Sequence, residues 1–281
     1  MTKCKLVVAF PVYNGARTLE QSLQCIADQD YRDFRAIIVE NKSTDNTLEV
    51  ARAFCEKDDR FEIIENSKHL NALDNFANAI TLASERGEYF CLRACDDLST
   101  PDYLSKLLAA LEAQPSKMLA AGATKRIDGD DVRLVKPNGN IFDFAQKAAS
   151  GQLPRNLTFP AEWLYGLFRS NGATEILMRR WRELGRAWCA ASYTIAEFVI
   201  RDLAAYVDGP AYHFFAGSGS ENIHAAKTLR DKLQQRWIYT MGCYRLRDRL
   251  PPMSWYGRSR FWLMCWNDAR RKTGYYILGR L

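Results

Sequence analysis

Three short apolar runs in the first hundred residues each break abruptly into polar side chains, and this recurring break restricts the fold more than any other feature. The first is Leu6 to Val12, leading into Tyr13-Asn14-Gly15; the second is Ala36 to Val39, leading into Glu40-Asn41-Lys42-Ser43-Thr44-Asp45. The third is Tyr89 to Ala94, leading into Asp96-Asp97. Each run has strand length, and the stretches between them carry apolar residues at helical spacing. Leu19, Leu23 and Ile26 do so first, then Leu48, Ala51 and Phe54, then Leu73, Phe76, Ala77 and Ile80. Strand and helix in alternation predict an α/β fold with a doubly wound, mostly parallel sheet flanked by helices. Parallel strands bring their C-terminal ends to one edge, and open sheets of this class bind ligands along that edge. Tyr13-Asn14, Glu40-Asn41 and Asp96-Asp97 are therefore expected to converge on one crevice.

The remaining chain extends this plan. Phe61 to Glu65 reads as a short strand and 102–113 as a helix with Leu104, Leu107, Leu108 and Leu111 inward. Residues 129–160 are polar, rich in Gly and Asn and weakly periodic, which predicts a substrate-side insertion or a loop. Residues 161–168 and 175–184 read as further core elements, and Ile195 to Val207 as an amphipathic helix. From Ile223 the pattern is helical, basic and aromatic, interrupted at Pro251-Pro252. The expected division is thus a sheet domain over 1–220 and a helical extension over 221–281.

Charge matters here because of where it lies. The formal net charge is +6, yet from Arg230 onward twelve Lys and Arg face only Asp231, Asp248 and Asp268. Trp255, Tyr256, Phe261, Trp262, Trp266, Tyr275 and Tyr276 are interleaved with those arginines. Interfacial segments meet anionic lipid in this way; a helical layer packed on the core with its arginines in water has the same composition. No nucleic-acid-binding motif accompanies the charge, so nucleic acid is not an expected partner. The eight cysteines lack zinc-site spacing and several sit in apolar runs, the pattern of reduced thiols in the cytoplasm. No signal peptide is recognisable, and no stretch approaches the roughly 20 apolar residues of a membrane span.

Adjacent carboxylates directly after a buried strand are costly without a cation. A hard divalent ion satisfies them with oxygen ligands, often shared with substrate phosphates. An Asp-Asp turn capping the helix near Pro101 is the simpler alternative, but the position behind two other polar strand ends favours the metal. Glu40-Asn41 offers one acceptor and one amide, the set that reads the N3–H and carbonyls of uracil or thymine. The same residues, with Ser43 and Asp45, also suit a plain turn capping a helix. Pro11 pre-sets the backbone at its strand end, and Tyr13 can lie against a base or ribose. Neither a Gly-x-Gly-x-x-Gly motif nor a P-loop is present, which leaves phosphates to a metal. Phe214 to Ser220 form a Gly/Ser-rich loop able to close over a diphosphate, followed by His224, a candidate third metal ligand or phosphate contact.

Taken together, these segments resemble the family 2 glycosyltransferases of the GT-A fold. The resemblance is carried by Pro11-Val12-Tyr13-Asn14 with Leu19, then Glu40 to Thr47, Arg60, Asn66, Asn75-Phe76, Gly87-Glu88-Tyr89 and Asp96-Asp97 to Pro101. It implies transfer of a sugar from a nucleotide diphosphate donor to an acceptor hydroxyl of a saccharide or lipid-linked saccharide. Inversion at the anomeric carbon and a bridging Mg²⁺ or Mn²⁺ are implied as well. The donor pocket would comprise Pro11, Tyr13, Asn14, Glu40, Asn41 and Ser43. Asp97 would be the direct metal ligand, and Asp96 would contact ribose or a metal-bound water. An inverting reaction needs a general base, which in this family is an acid roughly a hundred positions after the metal motif; Glu197 lies there, with Asp202 and Asp208 as rivals. Four departures stand out. Glu40 replaces the usual Asp, Ala94 replaces the Asp that often opens the acidic motif, Asn71 stands where Gly is common, and Ser192 lies near the place of an expected acid. They leave open a non-catalytic nucleotide-sugar binding subunit, with a sugar nucleotidyltransferase as a further alternative. The location implied is cytoplasmic, including the cytoplasmic face of the inner membrane through the C-terminal extension.

Overall fold

A computed structural model describes residues 3–185, 189–216 and 228–272. Strands β1 (Cys4–Val12), β2 (Phe34–Glu40), β3 (Phe61–Glu65) and β4 (Gly87–Leu92) run parallel in the spatial order β3-β2-β1-β4. Helices α1 (Leu19–Ala27), α2 (Thr47–Cys55) and α3 (Ala72–Arg86) connect them. Side chains alternate between the two faces of a strand, so β1 and its neighbours feed two cores. Val7, Ala9, Ile37, Val39, Phe90 and Leu92 pack on the α3 side. Leu6, Val8, Phe10, Ile38 and Cys91 pack on the opposite side with α1 residues Leu19, Leu23 and Ile26. Burial on both faces explains why these runs read as continuous apolar stretches. In register, Val12 lies beside Glu40 and Glu40 beside Glu65, while Ala9 pairs with Leu92. The strand ends are aligned as the sequence predicts.

Beyond β4 the chain adds β5 (Leu98–Ser99), α4 (Tyr103–Ala113), β6 (Leu119–Asp128), β7 (Asp131–Val135) and α5 (Phe144–Ser150). It continues with β8 (Leu167–Arg169), α6 (Ser170–Leu184), α7 (Ala190–Ile200) and β9 (Ala204–Phe215). The sheet extends as β4-β8-β6-β9-β5, with β8 antiparallel to both neighbours and β6 parallel to β9. This mostly parallel, helix-flanked sheet is the architecture the sequence predicts.

Two expectations change. Residues 129–160 are not a plain loop: β7 pairs with β6, and a single 3₁₀ turn at Gly139–Ile141 precedes α5. The helix expected over 195–207 ends at Ile200, and β9 begins at Ala204. Asp202 turns the chain between them in the left-handed region (φ 54°). Its two carboxylate oxygens accept the N–H groups of Phe144 (2.6 Å) and Ala145 (2.8 Å) and so hold the start of α5. Helix α7 is buried from Ser192 to Ile200 on every face, so amphipathic spacing was the wrong signal for it.

The extension supplies α8 (Leu229–Tyr244) and α9 (Trp255–Lys272), with Pro251-Pro252 between them. Tyr239, Cys243, Phe261, Met264, Cys265 and Ala269 from these helices share one core with α6 and α7. Among the described residues, no helix is long and apolar enough to cross a membrane.

Candidate functional site

A cleft of about 530 Å³ opens along the C-terminal edge of β1, β2 and β4 and is lined by Pro11, Tyr13, Asn14, Asn41, Asp96 and Asp97, among others. That volume falls within the range of small-ligand sites. These site residues singled out in the sequence thus meet, though they come from the ends of three separate strands.

One wall is made by stitching the β1–α1 loop to the β2–α2 loop. Asn14 (φ 53°) donates its N–H to Ser43 Oγ (3.0 Å), and its side-chain oxygen accepts the N–H of Thr44 (2.8 Å). The Gly15 N–H reaches Thr47 Oγ1 (2.8 Å), and the Ala16 N–H reaches Asp45 Oδ2 (3.2 Å). Asp45 also accepts from the backbone and hydroxyl of Thr47. The turn-forming residues of 43–47 therefore serve both loops at once. Asn41 fixes the next strand end: its Oδ1 accepts from Leu70 N–H (2.8 Å) and Asn66 Nδ2 (2.9 Å), and its Nδ2 donates to Leu70 O (2.8 Å). His69 is held by a bond between Nδ1 and Asn41 O (3.1 Å), and its ring lies 4.4 Å from that of the half-exposed Tyr13.

Glu40 has a different task from the one expected. Its carboxylate is buried and accepts the N–H groups of Lys42 (2.9 Å) and Ser43 (2.6 Å). It closes the tight turn that passes through Lys42 (φ 58°), and it does not line the cleft. Ser43 likewise acts on Asn14 from behind the wall.

Asp96 and Asp97 form the acidic floor. Asp97 is almost wholly buried; it accepts the Phe215 N–H (3.0 Å) through Oδ1 and the Tyr212 hydroxyl (2.8 Å) through Oδ2. Burial, opposed by those two bonds and reinforced by the neighbouring Asp96, pushes its pKa up to about 6. Burial raises the Asp96 pKa as well. Beneath them lies Arg93, fully buried, its guanidinium 5.0 Å from the ring centres of both Tyr103 and Tyr212 and hydrogen-bonded to Ser99 Oγ. Tyr165, stacked on Tyr212 at 4.9 Å, and Phe214 complete this side of the cleft.

A pair of desolvated carboxylates opening on a cleft, each with lone pairs to spare, fits a divalent cation. No group of three or more His, Cys, Asp or Glu suited to a metal occurs among the described residues. Among the described residues Asp96 and Asp97 are the groups that would hold such an ion, with phosphate oxygens and water as its further ligands, as Mg²⁺ commonly takes. His224, the expected third ligand, lies outside the described residues.

Glu197 is not at the cleft. Its side chain is completely buried in α7, with both oxygens 2.6 Å from Arg179 Nη2, Oε1 2.9 Å from Arg201 Nη1 and Oε2 3.7 Å from Arg180 Nε. Three arginines occupy the carboxylate, and no acceptor hydroxyl has access to it. Its rivals are engaged too: Asp202 holds α5, and the exposed Asp208 pairs with Lys136 (2.9 Å). Conversely, His69, to which the sequence reading assigned no role, lines the cleft, and Arg93 went unread. His69 follows the end of β3, a fourth strand end on the same edge, and Arg93 is a charge set directly after an apolar run; both positions were visible signals.

The profile described as glycosyl transferase family 2 matches residues 7–170, more than half of the chain. The chain belongs to that family. Among curated relatives it is 32% identical over 109 residues to the putative glycosyltransferase EpsE of Bacillus subtilis, covering 38% of each protein. It is 29% identical over 107 residues to the amylovoran biosynthesis glycosyltransferase AmsB of Erwinia amylovora, covering 37% of this chain and 35% of that one. The match thus spans less than two fifths of either relative. In fold the chain resembles residues 1–349 of Staphylococcus aureus TarS, solved with UDP-GlcNAc (TM-score 0.65, 13% identity, 92% of this chain and 70% of that one). It also resembles the Pyrobaculum calidifontis mannosyltransferase PcManGT, solved with GDP-Man and Mn²⁺ (TM-score 0.56, 15% identity, 98% of this chain and 73% of that one).

Proposed function

We propose that this family member is a glycosyltransferase that takes a sugar from a nucleotide diphosphate donor bound along the Tyr13–Asp97 cleft. The observation that carries the reading is the placement of an aromatic pair, Tyr13–His69, and a desolvated acidic pair, Asp96-Asp97, in one cleft at the strand ends. The first suits a base or ribose and the second a metal-neutralised diphosphate. Tyr13 would lie against the base, with Asn14 and Asn41 holding the walls in shape and Glu40 and Ser43 supporting them from behind. Asp97 would hold a Mg²⁺ or Mn²⁺, with Asp96 reaching it directly or through water. Bound there, the ion would offset the charge of the departing diphosphate. The buried Arg93 reduces the cost of keeping Asp97 ionised before donor arrives. The acceptor is a hydroxyl of a saccharide or lipid-linked saccharide, in line with the amylovoran biosynthesis for which AmsB is named. The sheet domain to about residue 220 would carry donor binding.

The absence of a third acid from the described cleft lining favours a second reading, a subunit that binds nucleotide-sugar without turning it over. Family membership sets the nucleotidyltransferase alternative aside. Calorimetry with UDP-, dTDP- and GDP-sugars, each with Mn²⁺ and with EDTA, tests the donor site. Metal-dependent binding of one donor is expected; no binding to any donor would remove the proposal. Donor hydrolysis or transfer by the binding-competent protein then separates enzyme from binding subunit.

A further inference from the structure

We propose that α8 and α9 form a docking face for an anionic bilayer surface, a site separate from the cleft. Of the large hydrophobic side chains left exposed among the described residues, six lie on these two helices: Leu229, Leu233, Trp237, Trp255, Tyr256 and Leu263. Spacing makes them stripes rather than scatter. Leu229, Leu233 and Trp237 recur every four residues along α8, and Tyr256 and Leu263 are seven apart on α9. Trp255 is 79% exposed, an unusual state for the largest apolar side chain unless something else covers it.

The two helices that carry the stripes pack against each other. Arg236 of α8 lies 3.5 Å from the ring centre of Trp266 on α9, and Trp262 stacks on Trp266 at 5.6 Å. The helices are therefore fastened together at the level of Trp237. The face is also rigidly carried: Arg271 donates to Thr158 Oγ1 (3.0 Å), and Phe144 of α5 meets Phe261 of α9 at 6.0 Å.

Charge identifies the occupant. Residues 228–281 hold twelve basic and three acidic side chains, so with an overall charge of +6 the rest of the chain is net acidic by three. Arg230, Arg258 and Arg260 are exposed beside the apolar stripes and form no ion pair among the described residues. A water-facing helical layer gains nothing from surrounding bare tryptophan with unpaired arginine. A bilayer interface receives both: rings and leucines enter the headgroup boundary while the guanidiniums meet lipid phosphates. A second copy of this chain would bring the same positive charge and be repelled. Docking in this way would bring a lipid-linked acceptor to the enzyme, a consequence that rests on the proposed transfer reaction; the docking itself does not.

The test is co-sedimentation of the full chain with vesicles of equal parts phosphatidylcholine and phosphatidylglycerol, against phosphatidylcholine alone. Binding to the anionic vesicles, weakened by salt and accompanied by a blue shift of tryptophan fluorescence, is expected. An R258Q/R260Q variant should bind on the order of twenty-five-fold more weakly, since each basic residue near the surface is worth about five-fold. A W237A/W255A variant should lose the fluorescence shift; all four side chains are exposed, so unchanged melting curves confirm the fold. Failure of the unaltered protein to sediment with anionic vesicles overturns the proposal. So does equal binding to neutral vesicles, binding unaffected by both variants, or a dimer that W237A/W255A converts to monomer, which would give the face to a second copy. Donor calorimetry on the same preparations separates loss of docking from loss of the cleft.

Discussion

Replacing Glu197 with Gln distinguishes a catalytic acid from a structural one. As a general base, Glu197 would sit in a competent fold and its loss would remove turnover while leaving the melting curve in place. The structure requires the opposite. Glu197 shares with Glu183 (3.2 Å) the neutralisation of Arg180, whose side chain is completely buried and whose other partners are the carbonyls of Gly242 (3.0 Å) and Tyr193 (2.9 Å) and Cys243 Sγ (3.5 Å). Arg179 and Arg201 retain partial exposure and recover solvation, so most of the cost falls on Arg180. Removing one member of a buried pair costs about 3–5 kcal/mol. An unfolding entropy of about 2.1 cal/mol/K per residue gives about 0.6 kcal/mol/K for a chain this long, hence a melting temperature lower by about 5–8 °C. Scanning calorimetry measures this, with donor binding recorded below the transition. A variant that melts within a degree of the unaltered protein yet has lost transfer would refute the burial argument and restore Glu197 as the base.

Asp97→Asn tests the acidic floor. The folded-state pKa of about 6 lies above the ordinary 3.8, so the folded protein holds this proton more tightly and loses stability as pH rises from about 4 to beyond 6. Asn removes that loss, worth about 3 kcal/mol at most. The metal-free variant should melt higher at pH 8 and alike at pH 4, and it should lose Mn²⁺-dependent donor binding; identical pH profiles would defeat the reasoning. Tyr13→Ala should weaken donor binding by about 1–3 kcal/mol, the usual worth of base stacking, as read by calorimetry, with stability unchanged because the ring is exposed. Gly242→Ala would place a Cβ 1.9 Å from Tyr193 Oη and 2.6 Å from Cζ. Overpacking of this kind costs about 1–3 kcal/mol, and a melting temperature unchanged by the substitution would show that α7 and α8 can part at no cost.

What the sequence revealed and what it hid follow from the range of the forces involved. β1, β2 and β4 were legible because burial on both faces demands continuous apolar runs, and their ends follow from parallel pairing. Glu40 was legible as a turn former and as a base ligand; only the distances to Lys42 and Ser43 decide between them. Helix α7 was misjudged because, of the three arginines that neutralise Glu197, only Arg201 is near in sequence, while Arg179 and Arg180 are eighteen and seventeen positions away. Asp202 and the 129–160 segment were obscure for the same reason, since a left-handed turn in one holds a helix start in the other.

The stitched loops of β1–α1 and β2–α2 bear on the time course of donor capture. Asn14, Ser43, Thr44, Asp45 and Thr47 hold one another through the protein's own groups. That wall needs no nucleotide contact to keep its shape. Mixing experiments that follow this wall should therefore show a single phase whose rate rises linearly with donor concentration, the signature of encounter without a waiting step.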